Sequence, residues 1–352
     1  MFTFSTPTFL GIDFGTSHVK AVELTLKNNK PYLVNYGEAL MEVYTQASKE
    51  IDFKSPEEKV RDALMALLAK MKPKSEKAYV AMPGFSGLIT LIELPKMSKA
   101  ELENAVRFEA QRYIPSPLEE VVLSWDIVST GPGESANTNV EVLLVAALKK
   151  EVEKYEQYIV ASPVNMEMLE LETFSLARAL IHDTQGVSLI IDMGSRSTNL
   201  ILVENGFIKI NRNINAGGHE ITSTLAEALN ISRERAHVIK AGDKDFLNNK
   251  ESMIVFPSLE SVVNEARRML LAYKEKHKDS VVTNIVLSGG TSHMTGLQDY
   301  FSRTLGIQAT IGNPWGRITY DEKLNAIIPR LGASYSVALG LALAGVESME
   351  KG

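Results

Sequence analysis

Gly11-Ile12-Asp13-Phe14-Gly15-Thr16-Ser17 and, about half a chain later, Ile191-Asp192-Met193-Gly194-Ser195-Arg196-Ser197 carry one pattern twice. Each copy runs from a β-branched stretch into Asp-x-Gly, then small polar residues, then a second apolar strand. That strand is read at 19–24 in the first copy and 199–203 in the second. A loop that approaches an anion needs outward-pointing backbone N–H groups, glycine and no bulky Cβ. Gly15-Thr16-Ser17 and Gly194-Ser195-Arg196-Ser197 meet those demands. Asp13 and Asp192 stand just before each turn, where a carboxylate can hold Mg²⁺ directly or through water. A single turn of this kind is as good a hairpin as a phosphate loop. Two copies in matching strand contexts can face one another across a cleft and hold a polyphosphate with its metal.

A third loop strengthens that expectation. Ser288-Gly289-Gly290-Thr291 follows a buried strand read at 281–287 and precedes a helix read at 295–305, a natural place for a nucleoside and its phosphates. The chain has no Gly-x-x-x-x-Gly-Lys-Ser/Thr and no Gly-x-Gly-x-x-Gly, so P-loop and dinucleotide sites fall away.

Composition sets the outer bounds. A chain of 352 residues is too long for one compact core and suits two or three subdomains. Apolar residues at 45% and charged residues at 23% are ordinary for a soluble globular protein. A net charge of −6 and no Lys/Arg block give no footprint for nucleic acid. Zero cysteines exclude disulfides, thiolate metal sites and cysteine nucleophiles. The six histidines lie at least 16 residues apart, so no helical His pair exists to bind metal. The start of the chain has neither a basic region nor a cleavage site, so no signal peptide is expected. Apolar stretches such as 337–346 fall short of the roughly 20 residues of a membrane span. Membrane association is therefore expected only through a partner.

Along the chain, strands at 9–26 turn at Lys27-Asn28-Asn29-Lys30 and continue into 32–40. Ser55-Pro56-Glu57-Glu58 opens a helix to Met71, and 78–82 is a buried strand. From 86 to 162 the pattern changes to β-α-β-β-α without a phosphate-type loop, which reads as an inserted small domain. Within it Ser98-Lys99-Ala100-Glu101 is a capping box opening a helix to Ile114, stopped by Pro115 and Pro117. Strands at 121–128 and 140–148 flank a polar loop at 131–139, and a helix follows at 149–160. The main fold resumes with a strand at 164–171 and a helix at 173–182. Gly217-Gly218 opens a helical stretch to 277, broken at Pro257, and 331–344 reads as a buried helix. The expected division is 1–85 and 163–185 for the first half, 86–162 for the insertion, 186–330 for the second half with a helical cap at 217–280, and 331–352 packing back on the first half.

The three loops resemble the pattern of the actin/hexokinase/heat-shock-chaperone ATPase superfamily. From Leu10 to about Gly345 the chain also resembles the PilM family, cytoplasmic actin-like proteins of type IV pilus assembly. The likeness rests on the stretch 10–24, on Ile92-x-Leu94-Pro95, and on the more specific Arg107-Phe108-Glu109-Ala110-x-x-Tyr113-Ile114-Pro115. Glu172-Thr173-Phe174, Asn313-Pro314-Trp315 and the stretch 337–343 add to it. The resemblance implies an α/β, actin-like (ribonuclease H-like) duplicated fold with an FtsA/PilM-type inserted subdomain. It also implies ATP or ADP with Mg²⁺ in the central cleft. The residues expected at the nucleotide are Asp13, Gly15, Thr16, Ser17, Lys20, Asp192, Gly194, Ser195, Ser197, Gly217, Gly218, Lys240, Gly289, Gly290 and Thr291, with Asp13 and Asp192 at the metal. His237 stands where many superfamily members have the Glu that binds ribose, which opens the question of adenine specificity; Lys240 matches. His18 is read as a strand residue.

Glu172 opens a helix where related ATPases orient the attacking water; a first-turn Glu is also simply favourable with the helix dipole. At most a slow ATPase is expected. The implied partner is the cytoplasmic N-terminal peptide of the inner-membrane protein PilN, bound in a groove beside the inserted subdomain. Pilus motor ATPases and further copies of the chain are additional candidates. On the helix from Ser98 to Ile114, Leu102, Ala105, Val106 and Tyr113 form an apolar stripe with Glu109 in its middle. Glu109 has three readings: an edge residue in solvent, a carboxylate meeting a partner, or an internal pair with Arg107 or Arg112. Arg107, Arg112, Tyr113 and Ile114 are candidate partner contacts on the same grounds. Two other functions share the superfamily, an FtsA-like division protein and a small-molecule kinase. The first calls for a basic amphipathic tail and the second for a general base beside a substrate hydroxyl.

Overall fold

The computed structural model describes residues 6–41, 54–128, 139–183, 185–248, 254–278 and 280–350. The first five residues of the chain and nearly all of the polar loop read at 131–139 lie outside them.

The duplication read from the two Asp-x-Gly turns is realised as two sheets of the same topology. In the first, β1 (Thr8–Phe14), β2 (His18–Lys27) and β3 (Lys30–Leu40) form an antiparallel meander. β4 (Lys77–Met82) then adds parallel to β1 on the other side. Between β4 and its parallel neighbour in the sheet, β8 (Asn165–Leu171), the chain builds a separate three-stranded antiparallel sheet. That sheet has the order β5 (Gly87–Pro95), β7 (Asn139–Leu148), β6 (Val121–Val128). The second half repeats the first: β9 (Val187–Met193), β10 (Thr198–Glu204) and β11 (Phe207–Ile214) form the meander. β12 (Val282–Ser288) and β13 (Ala309–Ile311) continue it in parallel. Both meanders turn tightly through left-handed backbone, Asn28-Asn29 with φ of 55° and 59° and Asn205-Gly206 with 51° and 83°. Asn and Gly tolerate that conformation at least cost, and it matches the right-handed strand twist.

Among the described residues, ten α-helices complete the layers. α1 (Pro56–Met71) carries the expected Ser55–Glu58 capping box and packs under the first sheet. α2 (Lys99–Ala110) carries the Ser98–Glu101 box and covers the small sheet through Leu102, Val106 and Ala110. It ends one turn before the expected Ile114. Arg112 N–H bonds to Glu109 O and Tyr113 N–H to Ala110 O, a tightened last turn, and Pro115 bars its predecessor from the helical region. Tyr113 therefore leaves the apolar stripe and is exposed.

α3 (Lys149–Val160), read with the insertion, lies against β6 and β7 and also buries its apolar face in the core of the first sheet. Its Tyr155 and Tyr158 rings lie 5.7 and 5.3 Å from the Phe14 ring. α4 (Glu172–Leu180) follows β8. In the second half come α5 (Gly218–Leu229), α6 (Arg233–Lys240), α7 (Pro257–Lys276) and α8 (Leu297–Leu305). The chain returns to the first half through the short α9 (Ile328–Leu331) and α10 (Ser336–Glu350).

The stretch Ile328–Met349, 22 residues, is by length and composition apolar enough to cross a membrane, longer than 337–346 alone suggests. It is mostly buried inside the protein, as a core helix would be. Its fit is close: a Cβ on Gly11 of β1 would stand 2.1 Å from the Ala338 carbonyl oxygen. A Cβ on Gly340 would stand 2.1 Å from that of Ser175 in α4.

Candidate functional site

The two Asp-x-Gly turns have the same internal geometry. Gly15 N–H donates to His18 O at 3.1 Å and Gly194 N–H to Ser197 O at 2.9 Å. Each closes a two-residue loop, Thr16-Ser17 or Ser195-Arg196, that stands partly exposed at the end of its sheet. The third loop ends β12. Gly289 adopts φ +82°, and a Cβ there would fall 2.4 Å from Met193 O, so only glycine lets β12 end beside β9. Nothing lies within 4 Å of where a Gly290 Cβ would be, so space is open beside this loop. The Thr291 hydroxyl reaches back to Gly194 O at 3.5 Å.

α5 docks its N-terminus directly on the second turn. Gly218 N–H donates to Gly194 O at 2.9 Å and His219 N–H to Ser195 O at 2.8 Å. The Gly217 N–H is held by the Glu220 carboxylate at 2.8 Å. These donors of the helix end are thus already engaged, and Gly217 and Gly218 serve close packing: a Gly217 Cβ would meet Ser195 O at 2.7 Å. Lys240 reaches in from α6, is buried, and donates to Gly218 O at 2.8 Å. Burial brings its pKa down to about 8, against the opposing pull of Glu220.

Three carboxylates converge electrostatically. Burial pushes Asp13 up to about 7, with Lys20 opposing and Asp192 adding to the shift. Burial also raises Asp192, partly offset by the Ser288 hydroxyl and by Lys20. Glu172 rises to about 8 through burial and the charges of Asp192 and Asp13, although two hydrogen bonds favour its ionised form. Positive charge therefore compensates Asp13 and Asp192 only in part and is not felt at Glu172. Lys20 supplies that charge while its own ammonium is engaged, donating to Ser334 O at 2.6 Å and lying 5.2 Å from the Tyr335 ring centre.

Among the described residues no three His, Cys, Asp or Glu side chains gather as a ready metal-ligand set. A cation at Asp13 and Asp192 would thus take its remaining oxygens from water and from a bound ligand. Mg²⁺, which keeps several waters and partners phosphate oxygens, fits that donor set.

Sequence reading missed part of the arrangement. Asn199 pairs across the β9–β10 ladder with Asp192, as Lys20 pairs with Asp13 in the first copy. It is almost wholly buried, and its amide donates to Glu172 Oε1 at 2.6 Å. The same oxygen accepts the Gly84 N–H at 2.8 Å. The one legible sign of Asn199 was its place in the repeat, equivalent to Lys20; Gly84 gave none. The Glu172 carboxylate thus ties together the end of β4, the start of α4 and a strand of the second half, besides any effect on its helix dipole.

The partner candidates lie elsewhere, on the small-sheet block. Arg107 and Arg112 are exposed, Tyr113 is 43% exposed, and Ile114 packs against the small core. Arg112 pairs with the partly buried Glu109 at 2.7 Å. Phe108, beside them, is 73% exposed.

Comparison with known proteins agrees with this architecture. A sequence family described as type IV pilus assembly protein PilM matches residues 11–346. Among solved structures, a chain of a PilM-PilN type IV pilus biogenesis complex superposes with a TM-score of 0.78 at 26% identity, covering 96% of this chain and 98% of that one. MreB 5 of Spiroplasma citri, bound to AMPPNP, superposes with a TM-score of 0.53 at 14% identity over 99% of this chain and 98% of that one, a likeness of fold. The cell division protein FtsA of Helicobacter pylori is 22% identical over 197 residues, 47% of this chain. That match spans only 39% of FtsA and places the two in one superfamily.

Proposed function

Because the chain belongs to the PilM family of type IV pilus assembly proteins, we propose that it is the cytoplasmic actin-like, ATP-binding component of the pilus assembly platform at the inner membrane. In this role it binds the cytoplasmic N-terminal peptide of PilN and reaches the membrane through that partner. The observation that carries the reading is the likeness, over nearly the whole of both chains, to a chain from a PilM-PilN complex. The inserted block 86–162 is the proposed docking region, with Arg107, Glu109, Arg112, Tyr113 and Ile114 at its surface. The exposed Phe108 on the same helix suits an apolar anchor in a partner peptide.

In the cleft, Asp13 and Asp192 would hold Mg²⁺ through water. Gly15, Thr16, Ser17, Gly194, Ser195 and Ser197 would approach the phosphates of ATP or ADP, with Lys20 and Lys240 as the nearby positive charges. Gly217, Gly218, Gly289, Gly290 and Thr291 would form the nucleoside side. Bound Mg²⁺ supplies charge that lets the three raised carboxyls ionise together. Glu172 is the candidate for orienting water in a slow hydrolysis.

The test is direct. A synthetic peptide from the N-terminus of the cognate PilN should bind the purified protein at micromolar concentrations in calorimetry. Absence of binding with and without Mg-ATP would remove the adaptor role.

A further inference from the structure

The small sheet belongs to the first half by chain order, yet it is tied to the second half at two points. The first is at its root. Gly84 is the last turn before β5, and its N–H donates to Glu172 Oε1, which also takes the Asn199 amide from β10. The fit around Gly84 is tight: a Cβ there would stand 2.8 Å from the Oδ1 atoms of both Asn199 and Asn213. Both of those oxygens are buried and without a hydrogen-bond partner, and the two residues pair across β10 and β11. Any shift of β10 against the first half therefore presses on Gly84 or releases it.

The second tie is remote from the cleft. β5 lies against β11, and Lys209 of β11 pairs with Glu141 of β7 at 2.6 Å, with Glu204 of β10 at 3.8 Å. All three side chains are mostly buried, where breaking such a pair leaves an uncompensated charge and is costly. β10 is also the strand whose Asn199 stands opposite Asp192. One strand pair, β10–β11, thus carries a residue opposite a cleft carboxylate, the wedge at Gly84 and the tie to Glu141.

We propose that Asn199, Glu172 and Gly84 form a positioning latch which, with the Lys209–Glu141 tie, makes the inserted small sheet follow the β10–β11 strand pair when the cleft is filled. The coupling is mechanical. Two packed bodies joined at both root and flank cannot slide continuously; they move together or break contacts. The latch rests on the proposed occupancy of the cleft by Mg-nucleotide and extends it to the surface proposed for docking.

Hydrogen–deuterium exchange on the full chain tests this, with nucleotide saturation of each protein checked separately by titration with a fluorescent ATP analogue. In the wild type, saturating Mg-ATP should slow exchange in β5 and β7 about fivefold, a modest coupling. Lys209→Met, far from the cleft, should bind Mg-ATP as the wild type does and lose the response in β7. Asn199→Ala at saturation should lose it in β5. Should either variant fail to fold, the β7 response of Lys209→Met combined with Glu141→Gln, which removes both charges of the closer pair, decides alone. A wild-type response retained in these variants, or a saturated wild type with no response, overturns the latch and leaves nucleotide binding standing. A wild type that does not bind Mg-ATP removes the nucleotide reading and the latch together.

Discussion

Asp13, Asp192 and Glu172, the carboxyls proposed to act at the nucleotide, are each held where their charge is unfavourable. Their raised pKa values share one cause, burial; neighbouring carboxylates add to the shift at Asp13 and Glu172, and Lys20 partly offsets it at Asp13 and Asp192. A dication between Asp13 and Asp192 reverses that balance, so Asp13→Ala and Asp192→Ala should each weaken Mg-nucleotide binding by about tenfold or more, near 1.4 kcal/mol. Unchanged affinity in both, by fluorescent-nucleotide titration, would remove the metal assignment.

The same groups set a pH dependence. A carboxyl with a higher pKa folded than unfolded binds more protons in the folded state, so stability falls as pH rises through that window. For Glu172 the window runs from 4.5 to about 8. Glu172→Gln should therefore raise the melting temperature of the nucleotide-free protein at about pH 8.5 and leave it nearly unchanged near pH 4. An equal shift at both pH values would contradict the assignment. Asp13 and Asp192 were legible because a repeated Asp-x-Gly turn announces itself along the chain. Asn199 was legible only as the counterpart of Lys20 in the repeat, since one asparagine in an apolar strand has no local signature. Its role arises when β10 is brought beside α4.

Local signals decide most elements, and tertiary contact decides where some of them end and belong. The capping boxes at Ser55 and Ser98 start their helices as their spacing requires. Ser98→Ala should cost about 1 kcal/mol in urea unfolding, the usual worth of such a cap. The end of α2 at Ala110 is set by Pro115 and a tightened turn, and it turns Tyr113 outward. The placement of α3 could not be read from its own residues. An amphipathic helix reports that it has an apolar face but not which sheet will cover it.

α10 shows the opposite extreme, apolar on all sides because it is enclosed by α4 and by β1 and β2. Its backbone comes so near theirs that Gly11→Ala and Gly340→Ala should each destabilise the protein by about 3 kcal/mol, in the range of overpacked cores. Denaturation midpoints within error of wild type would show that the helix can move aside.

At the scale of the molecule, two halves of one topology meet where Asp192 of the second adds to the raised pKa values of Asp13 and Glu172 of the first, and the proposed nucleotide would be held by groups from both. A ligand held by both halves binds only the closed, folded protein. Mg-ATP at 100-fold over its dissociation constant should therefore stabilise the chain by about 2.7 kcal/mol. No rise in melting temperature at such concentrations would show that the cleft does not take the nucleotide.

The sequence by itself determined the duplication, the three loops and the helix starts, because each depends on residues adjacent in the chain. Turn backbone, caps and strand alternation are short-range matters. Only the tertiary structure decided that Gly84 and Asn199 share one oxygen of Glu172, that α3 bridges the small sheet and the first sheet, and that Lys209 holds the small sheet to the second half. Those contacts join segments far apart along the chain, and no local propensity encodes them; they follow from how two like sheets and an insertion can pack together. The repeated Asp-x-Gly turn marks the proposed nucleotide site, while packing sets what that site is connected to.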